Sequence, residues 1–356
     1  MFTAPFSAAA REDIVTLQLT EIPQQGFHRV VLARDVQARY TGVIAIHSIT
    51  RGPALGGTRL RHYRSAADAV IDALLLAENM TMKSAFAALP FGGGKAAVLA
   101  PSGPFNREEL LHAHGRAVEA LGGEYVTAED VGTTPADLKD IRATTTHVLE
   151  LSEQSIDSAW ATARGVLRAI EGAAEHVWGS AVLEARDVVM QGCGATGRAL
   201  AAELLARKAN IRASDVVATQ AERCRQMGAQ IVAPETALEL RCDILAPCAL
   251  GGGFDDASAE TVDARIIAGS ANNQLVHDGV AVRFAARGIT FVPDFVSNSG
   301  GVIAACPELL GWTADRAIAK IDAIRSGVVE LLAEADARRT TPQALALEKA
   351  RAAAAA

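Results

Sequence analysis

Apolar and polar residues alternate loosely over residues 14–20 and 28–34, and residues 40–47 add a run rich in β-branched side chains. A period of two sends successive side chains to opposite faces, so these runs predict strands. From Arg51 to Arg59 the pattern gives way to glycine. Gly56 and Gly57 read as a tight turn, or as backbone left bare for a small ligand to approach. Ser65 with Asp68 resembles a capping box, and the helix it opens carries Val70, Leu74, Ala77 and Met80 on one face. Lys83 falls near the end of that helix. Gly92, Gly93 and Gly94 lead Lys95 onto a short strand over residues 96–100, so both lysines are expected at element ends. Asn106 caps a further helix with the stripe Leu110, Leu111, His114, Val118 and Leu121, in which His114 is a helix-face residue. A strand from Tyr125 ends in Glu129 and Asp130, where Asp130 either faces a site or caps a turn. Residues 137–146 read as a surface crossing towards a second domain.

From about residue 155 helical and strand patterns alternate, which predicts βαβ units and a parallel sheet. Residues 161–178 form a long apolar-faced helix. Residues 187–191 form a strand running into Gly192-x-Gly194-x-x-Gly197, and residues 199–209 a helix. The three glycines permit a tight turn, close approach of a pyrophosphate, and close helix–strand packing. Asp215, eighteen residues after Gly197, stands where an acid binds a ribose 2′-hydroxyl, which favours NAD; Arg223 and Arg225 keep NADP open. Residues 242–251, 265–274 and 289–301 are three further strand-then-loop units, whose loops would face the cofactor crevice. Thr313 opens an amphipathic helix with Ile318, Ile321, Ile324, Val328 and Leu331 on one stripe. Thr341 and Pro342 open a last helix, and residues 352–356 read as a frayed tail. The fold class is therefore α/β in two domains with a cleft between them. Residues 1–145 form an N-terminal α/β catalytic and oligomerisation domain, residues 146–324 a Rossmann-type nucleotide domain, and helices from about 325 to 356 return to the first.

The net charge of −7 over 356 residues offers no general attraction to nucleic acid or anionic membrane. No apolar run reaches a membrane span, and no secretory signal pattern opens the chain, so a cytoplasmic location is expected. Five cysteines without a Cys-x-x-Cys pair read as free thiols, and no ligand spacing points to a metal. One detail of composition bears on chemistry. Only six of the 34 basic residues are lysine, yet Lys83 and Lys95 share one segment with no acid between them. Lysine, unlike arginine, gives up its proton near neutral pH when buried; it can equally snorkel from apolar surroundings to water.

Taken together, 52–59, 80–83, 92–95, 127–132, 192–197, 246–251, 268–274 and 293–301 resemble, in order, the leucine/phenylalanine/valine branch of the amino-acid dehydrogenases, from about residue 28 to 345. The resemblance implies reversible oxidative deamination of an L-amino acid to a 2-oxo acid, ammonia and NADH. It implies that Lys83 binds the substrate carboxylate with Asn273, beside the Gly56–Gly57 backbone. Lys95 would activate the attacking water and Asp130 would carry protons to and from the amine. NAD would be held by Gly192, Gly194, Ala195, Thr196, Gly197 and Asp215, with Ala249, Asn272 and Asn298 reaching it. Leu55, Ala128, Val302 and Ala305 would line an uncharged side-chain pocket, against glutamate and for aromatic or branched-chain substrates. Ala305 widens it towards phenylalanine. Met82 and Ser297 depart from the family's usual residues. A homo-oligomer, dimer or octamer, is the family expectation. Two rival readings are a 2-hydroxy-acid dehydrogenase, which wants a His–carboxylate pair and an arginine not found here, and a non-catalytic dinucleotide-binding homologue, which predicts loss of a site residue.

Overall fold

The structure is a computed structural model describing residues 17–149, 152, 155–249, 251 and 253–356. Residues 14–16 of the first expected strand, the N-terminal stretch read for a signal, and Leu250 of the block 246–251 lie outside them. Two six-stranded sheets organise the chain. The first holds β1 (Leu17–Glu21), β2 (Arg29–Asp35), β3 (Tyr40–Ser48), β4 (Ala54–Arg61), β5 (Gly92–Leu99) and β6 (Tyr125–Glu129), in the order β1-β2-β3-β5-β4-β6. Neighbours from β1 to β5 run antiparallel, whereas β4 is parallel to both β5 and β6. The parallel part needs crossovers, supplied by helices Ala66–Phe86 and Arg107–Glu119. They lie on opposite faces: Val43, Ala45 and Ala97 pack with Ala69, Ala73 and Ala77 of the first helix. On the other side Ile44, Ile46, Ala96 and Val98 pack with Leu110 and Leu111 of the second.

The second sheet is wholly parallel, β12-β11-β10-β7-β8-β9, with β7 (Asp187–Gln191), β8 (Asn210–Ser214), β9 (Gln230–Ile231), β10 (Cys242–Pro247), β11 (Ala264–Ile267) and β12 (Thr290–Phe291). Strand order reverses at β7, so its carboxyl end opens into a crevice. The expected two-domain α/β class with a Rossmann-type unit is found.

Several local expectations change. The glycine-rich segment is not a turn: from Ala54 it is strand β4, with Gly56 paired to Thr127 and Gly57 to Ala128. Likewise Gly92–Gly94 belong to β5, which places Lys95 inside a strand opposite Ala45 rather than at an element end. Glycine weakens an isolated strand, but here it serves close packing. A methyl at Gly93 would lie 2.1 Å from the Thr81 backbone nitrogen, so only glycine lets the helix Ala66–Phe86 sit this low. That helix buries Ala69, Ala73, Leu76 and Ala77, and leaves Val70, Leu74 and Met80 half-buried, because small side chains allow the closer approach. The expected crossing contains a helix, Pro135–Arg142, opened by a capping box of Thr134 and Asp137. The stripe after Thr313 divides at Ala323 into helices Ala314–Asp322 and Ile324–Arg338. The second of these packs along helix Ser158–Trp178, where Arg325 pairs with Glu175 at 2.7 Å and a methyl at Gly172 would meet the Arg325 carbonyl. The tail is not frayed. Helix Pro342–Ala355 joins a core with Met82, and the Arg51 guanidinium donates to the Ala353 carbonyl at 2.9 Å.

Candidate active site

Strand parity decides which side chains meet. Leu60 of β4 and Tyr125 of β6 point to the face covered by Arg107–Glu119, so Leu55, Gly57, Arg59, Ala128 and Asp130 take the other side. Lys95 shares that side with Ala97, beneath the helix that carries Lys83. Gly57 keeps the space open: a methyl there would lie 2.8 Å from the Asp130 Cβ and 2.4 Å from the Glu129 carbonyl oxygen. The Gly56 carbonyl already accepts the Tyr125 hydroxyl at 2.6 Å.

Lys95 Nζ lies 3.0 Å from Asp130 Oδ2, and Arg59 Nε donates to the same oxygen at 2.8 Å. Arg59 also donates through one terminal nitrogen to both oxygens of Asp72, at 3.1 Å each, and the Tyr63 hydroxyl donates to Asp72 at 2.7 Å. Lys83 Nζ reaches across to the second domain and donates to Asn272 Oδ1 at 3.1 Å; Asn298 Nδ2 donates to that oxygen at 3.0 Å. Asn273, the residue after Asn272, adopts a left-handed conformation (φ 50°), and its N–H donates to Asp294 Oδ2 at 2.7 Å. Asn79 Nδ2, on the Lys83 helix, donates to the same Asp294 oxygen at 3.1 Å.

Both lysines are almost wholly buried, at 7% and 5% exposed. Burial lowers Lys83 to about 8; Asp294 opposes the shift and Lys95 adds to it. Burial also lowers Lys95, with Asp130 opposing and Arg59 assisting. Burial would raise Asp130, but Lys95 and Arg59 outweigh it and hold the carboxyl at about 2. Asp294, by contrast, is pushed up by burial. Without substrate the site therefore offers two lysines of lowered pKa and an ionised carboxylate.

Leu55, Val302 and Ala305 are buried in one apolar cluster, with Ala128 half-buried against it; Leu89, Phe91, Leu149 and Trp160 join them. That cluster contains neither departure from the family pattern. Met82 sits in the core with Leu345 and Ala346, and the Ser297 hydroxyl donates to the Gly269 carbonyl at 2.8 Å.

The crevice fits a dinucleotide. Gly192 has φ +106°, and a methyl there would lie 2.7 Å from the Ala249 nitrogen; one at Gly197 would lie 2.1 Å from the Gly192 carbonyl oxygen. A methyl at Gly194 would meet nothing within 4 Å. Gly194 also caps the helix Ala195–Ala206 with no side-chain bond, so the first N–H groups, near exposed Ala195 and half-buried Thr196, face open space. That is the setting for a pyrophosphate. Asp215 is held by the Cys193 and Val217 N–H groups, each at 2.7 Å.

Residues 27–147 match the Glu/Leu/Phe/Val dehydrogenase dimerisation domain, and residues 202–355 match the Glutamate/Leucine/Phenylalanine/Valine dehydrogenase family. The chain belongs to the Glu/Leu/Phe/Val dehydrogenase family. The valine dehydrogenase of Streptomyces coelicolor is 41% identical over 331 residues, covering 91% of each chain. The leucine dehydrogenase of Bacillus subtilis is 37% identical over 327 residues, 91% of this chain and 90% of that one. The L-tryptophan dehydrogenase from Nostoc punctiforme, a solved structure, is 34% identical with a TM-score of 0.75, covering 92% of this chain and 96% of that one. These relatives place the chain in the Leu/Phe/Val branch, as an amino-acid dehydrogenase. Dehydrogenases of this family use a pyridine nucleotide. No described helix is long and apolar enough to cross a membrane.

Sequence reasoning gave no role to Arg59, Asp72, Tyr63, Asp294 or Asn79. Two signals were available: Arg59 closes the Gly-Gly-Thr-Arg block, and Asp294 opens the loop after a crevice-facing strand. Asp72 and Asn79 carried none, because their partners are 13 and 215 residues away.

Proposed function

We propose that this amino-acid dehydrogenase catalyses the reversible NAD-dependent oxidative deamination of an apolar L-amino acid, aromatic or branched-chain, to the 2-oxo acid and ammonia. The reading is carried by one observation: Lys95 in contact with Asp130 at 3.0 Å on the sheet face that the Lys83 helix covers. Lys83 binds the substrate carboxylate, and Asn272 orients it from across the cleft. Lys95, its pKa lowered by burial, acts as a neutral amine: it takes a proton from the water that attacks the imine, and the ammonium so formed holds the oxygen that develops. Asp130 takes the proton from the substrate ammonium and returns it to the departing amine. The nicotinamide, when bound, supplies hydride acceptance.

The uncharged cluster around Leu55, Ala128, Val302 and Ala305 supports an apolar substrate, since a buried γ-carboxylate would need a cation there. The substrates in the relatives' names, valine, leucine and tryptophan, are apolar too. The choice of NAD is supported by Asp215, whose charge would face a 2′-phosphate, and by Arg225, which is tied to Glu222 at 2.7 Å. The site residues from Gly192 to Gly197, with Ala249, Asn272 and Asn298, form the nucleotide wall of this reading. The domain division falls at 145/146, with the last helix lying against Ala66–Phe86. A cytoplasmic homo-oligomer, dimer or octamer, fits a first unit that matches a dimerisation domain.

A panel of L-amino acids with NAD and with NADP, scored by kcat/KM, tests it. The expected result is the highest value for an aromatic or branched-chain amino acid with NAD. If apolar 2-oxo acids support no ammonia-dependent NADH oxidation, the proposal is wrong.

A further inference from the structure

Asp130 is gripped on one oxygen only. Arg59 Nε at 2.8 Å and Lys95 Nζ at 3.0 Å both meet Oδ2, while Oδ1 has no hydrogen-bond or ion-pair partner among the described residues. The two cations are not equivalent. Lysine can lose its proton during turnover, whereas a guanidinium keeps its charge at any working pH. Arg59 is itself held: its side chain is 8% exposed, and its other arm spans both oxygens of Asp72 on the helix that carries Lys83. Tyr63 donates to Asp72 and completes the chain. One guanidinium thus ties the end of β4, the residue after β6 and the lysine-bearing helix into one unit.

We propose that Arg59 is the positioning residue for Asp130: clamped by Asp72 and Tyr63, it holds Oδ2 through the cycle and turns Oδ1 to the substrate amine. The inference rests on the reaction proposed above. When Lys95 gives up its proton, Asp130 loses one of two cationic partners. With Arg59 in place the carboxylate does not rotate onto Lys95, and Oδ1 stays turned to accept the proton of the substrate ammonium. Arg59 also repels charge on Lys95, so it acts on both members of the pair. The other titratable groups around this set are Lys83 on the covering helix, Glu129 and Tyr125 on β6, and Asp294 facing Lys83 from the second domain.

The test uses full-length Arg59→Gln, Arg59→Lys, Asp72→Asn and Tyr63→Phe, with pH profiles of kcat and KM for the best amino acid and a fluorescence titration of NADH. In R59Q, kcat should fall by about 10²-fold, the loss that a misplaced catalytic group brings. KM should change far less and NADH affinity not at all. Removing a cation raises the Asp130 pKa, and removing a like charge raises that of Lys95; both act as bases, so the acid limb of the kcat profile should move to higher pH. R59K should recover part of the rate, and D72N and Y63F, which loosen the Arg59 clamp, should show smaller losses of kcat with KM little changed. If R59Q does not fold, D72N decides by the split between kcat and KM. An unshifted profile with KM and kcat changed in proportion would overturn the positioning role. Failure of the wild type to deaminate any amino acid overturns instead the reaction on which it rests.

Discussion

The molecule has two glycine-rich regions that use the same residue for opposite purposes. In the first sheet, Gly56, Gly57, Gly93 and Gly94 lie within strands, and a methyl on any of them would strike protein: the Gly94 carbonyl, the Glu129 carbonyl, the Thr81 nitrogen or the Tyr125 ring. In the second, Gly192 and Gly197 close a turn, while Gly194 faces open space at a helix start. The first set lets strands and a helix pack closely enough to bring Lys83, Lys95 and Asp130 together. The second leaves room for a ligand. Absence of a side chain is thus a statement about neighbours, and the neighbours differ.

The sharpest way to break this division is Lys95→Arg, which keeps the charge but removes the deprotonatable amine. Turnover should fall by about 10³-fold or more while NADH binding stays near wild type; near-normal turnover would mean the chemistry lies elsewhere. Gly56→Ala should cost at least about 3 kcal/mol of stability, because its methyl would lie 1.7 Å from a backbone oxygen that cannot move without breaking the sheet. Urea unfolding would show it, and a midpoint like the wild type's would refute the packing role.

The rear face of the same sheet gives a pH test. His114 is fully buried, bonded to Tyr40 at 3.0 Å and Thr58 at 2.7 Å, and burial lowers its pKa from 6.5 to about 3. Between those values the unfolded chain binds a proton that the folded one refuses. His114 should therefore cost stability progressively as pH falls below 6.5, by about 3 kcal/mol near pH 4. His114→Gln should flatten the acid side of the stability curve by that amount; parallel curves would count against it. The smallest effect belongs to the second region. Gly194→Ala should leave unfolding unchanged but raise the NADH dissociation constant about tenfold or more, roughly 1.4 kcal/mol. If instead G194A unfolds early and binds normally, the two regions do not differ as described.

Legibility followed the same division. Gly192–Gly197 was readable because its strand, turn and helix are contiguous, and the structure changes only the bounds of the helix, Ala195–Ala206 rather than 199–209. Gly56–Gly57 was misread as a turn because glycine carries no periodicity, and β4 is recognisable only from its pairing with β5 and β6. The error mattered. Once Ala54–Arg61 is a strand, alternation puts Arg59 on the face of Lys95 and Asp130, and its contact to Asp130 follows. The bond from Lys83 to Asn272 could not be read at all, since the two residues lie 189 apart in the chain.

The sequence by itself determined the elements whose signals are local: the nucleotide fingerprint, the caps at Ser65, Asn106 and Thr341, and two lysines in an arginine-rich chain. It also carried the family blocks and hence the reaction class. Tertiary structure alone decided which oxygen of Asp130 is held, which asparagine meets Lys83, and that Asp72, Tyr63 and Asp294 stand around the site. Those outcomes depend on residues far apart in the chain being brought within about 3 Å, where hydrogen bonding and burial set orientation and charge. No spacing along one strand of text encodes such a distance.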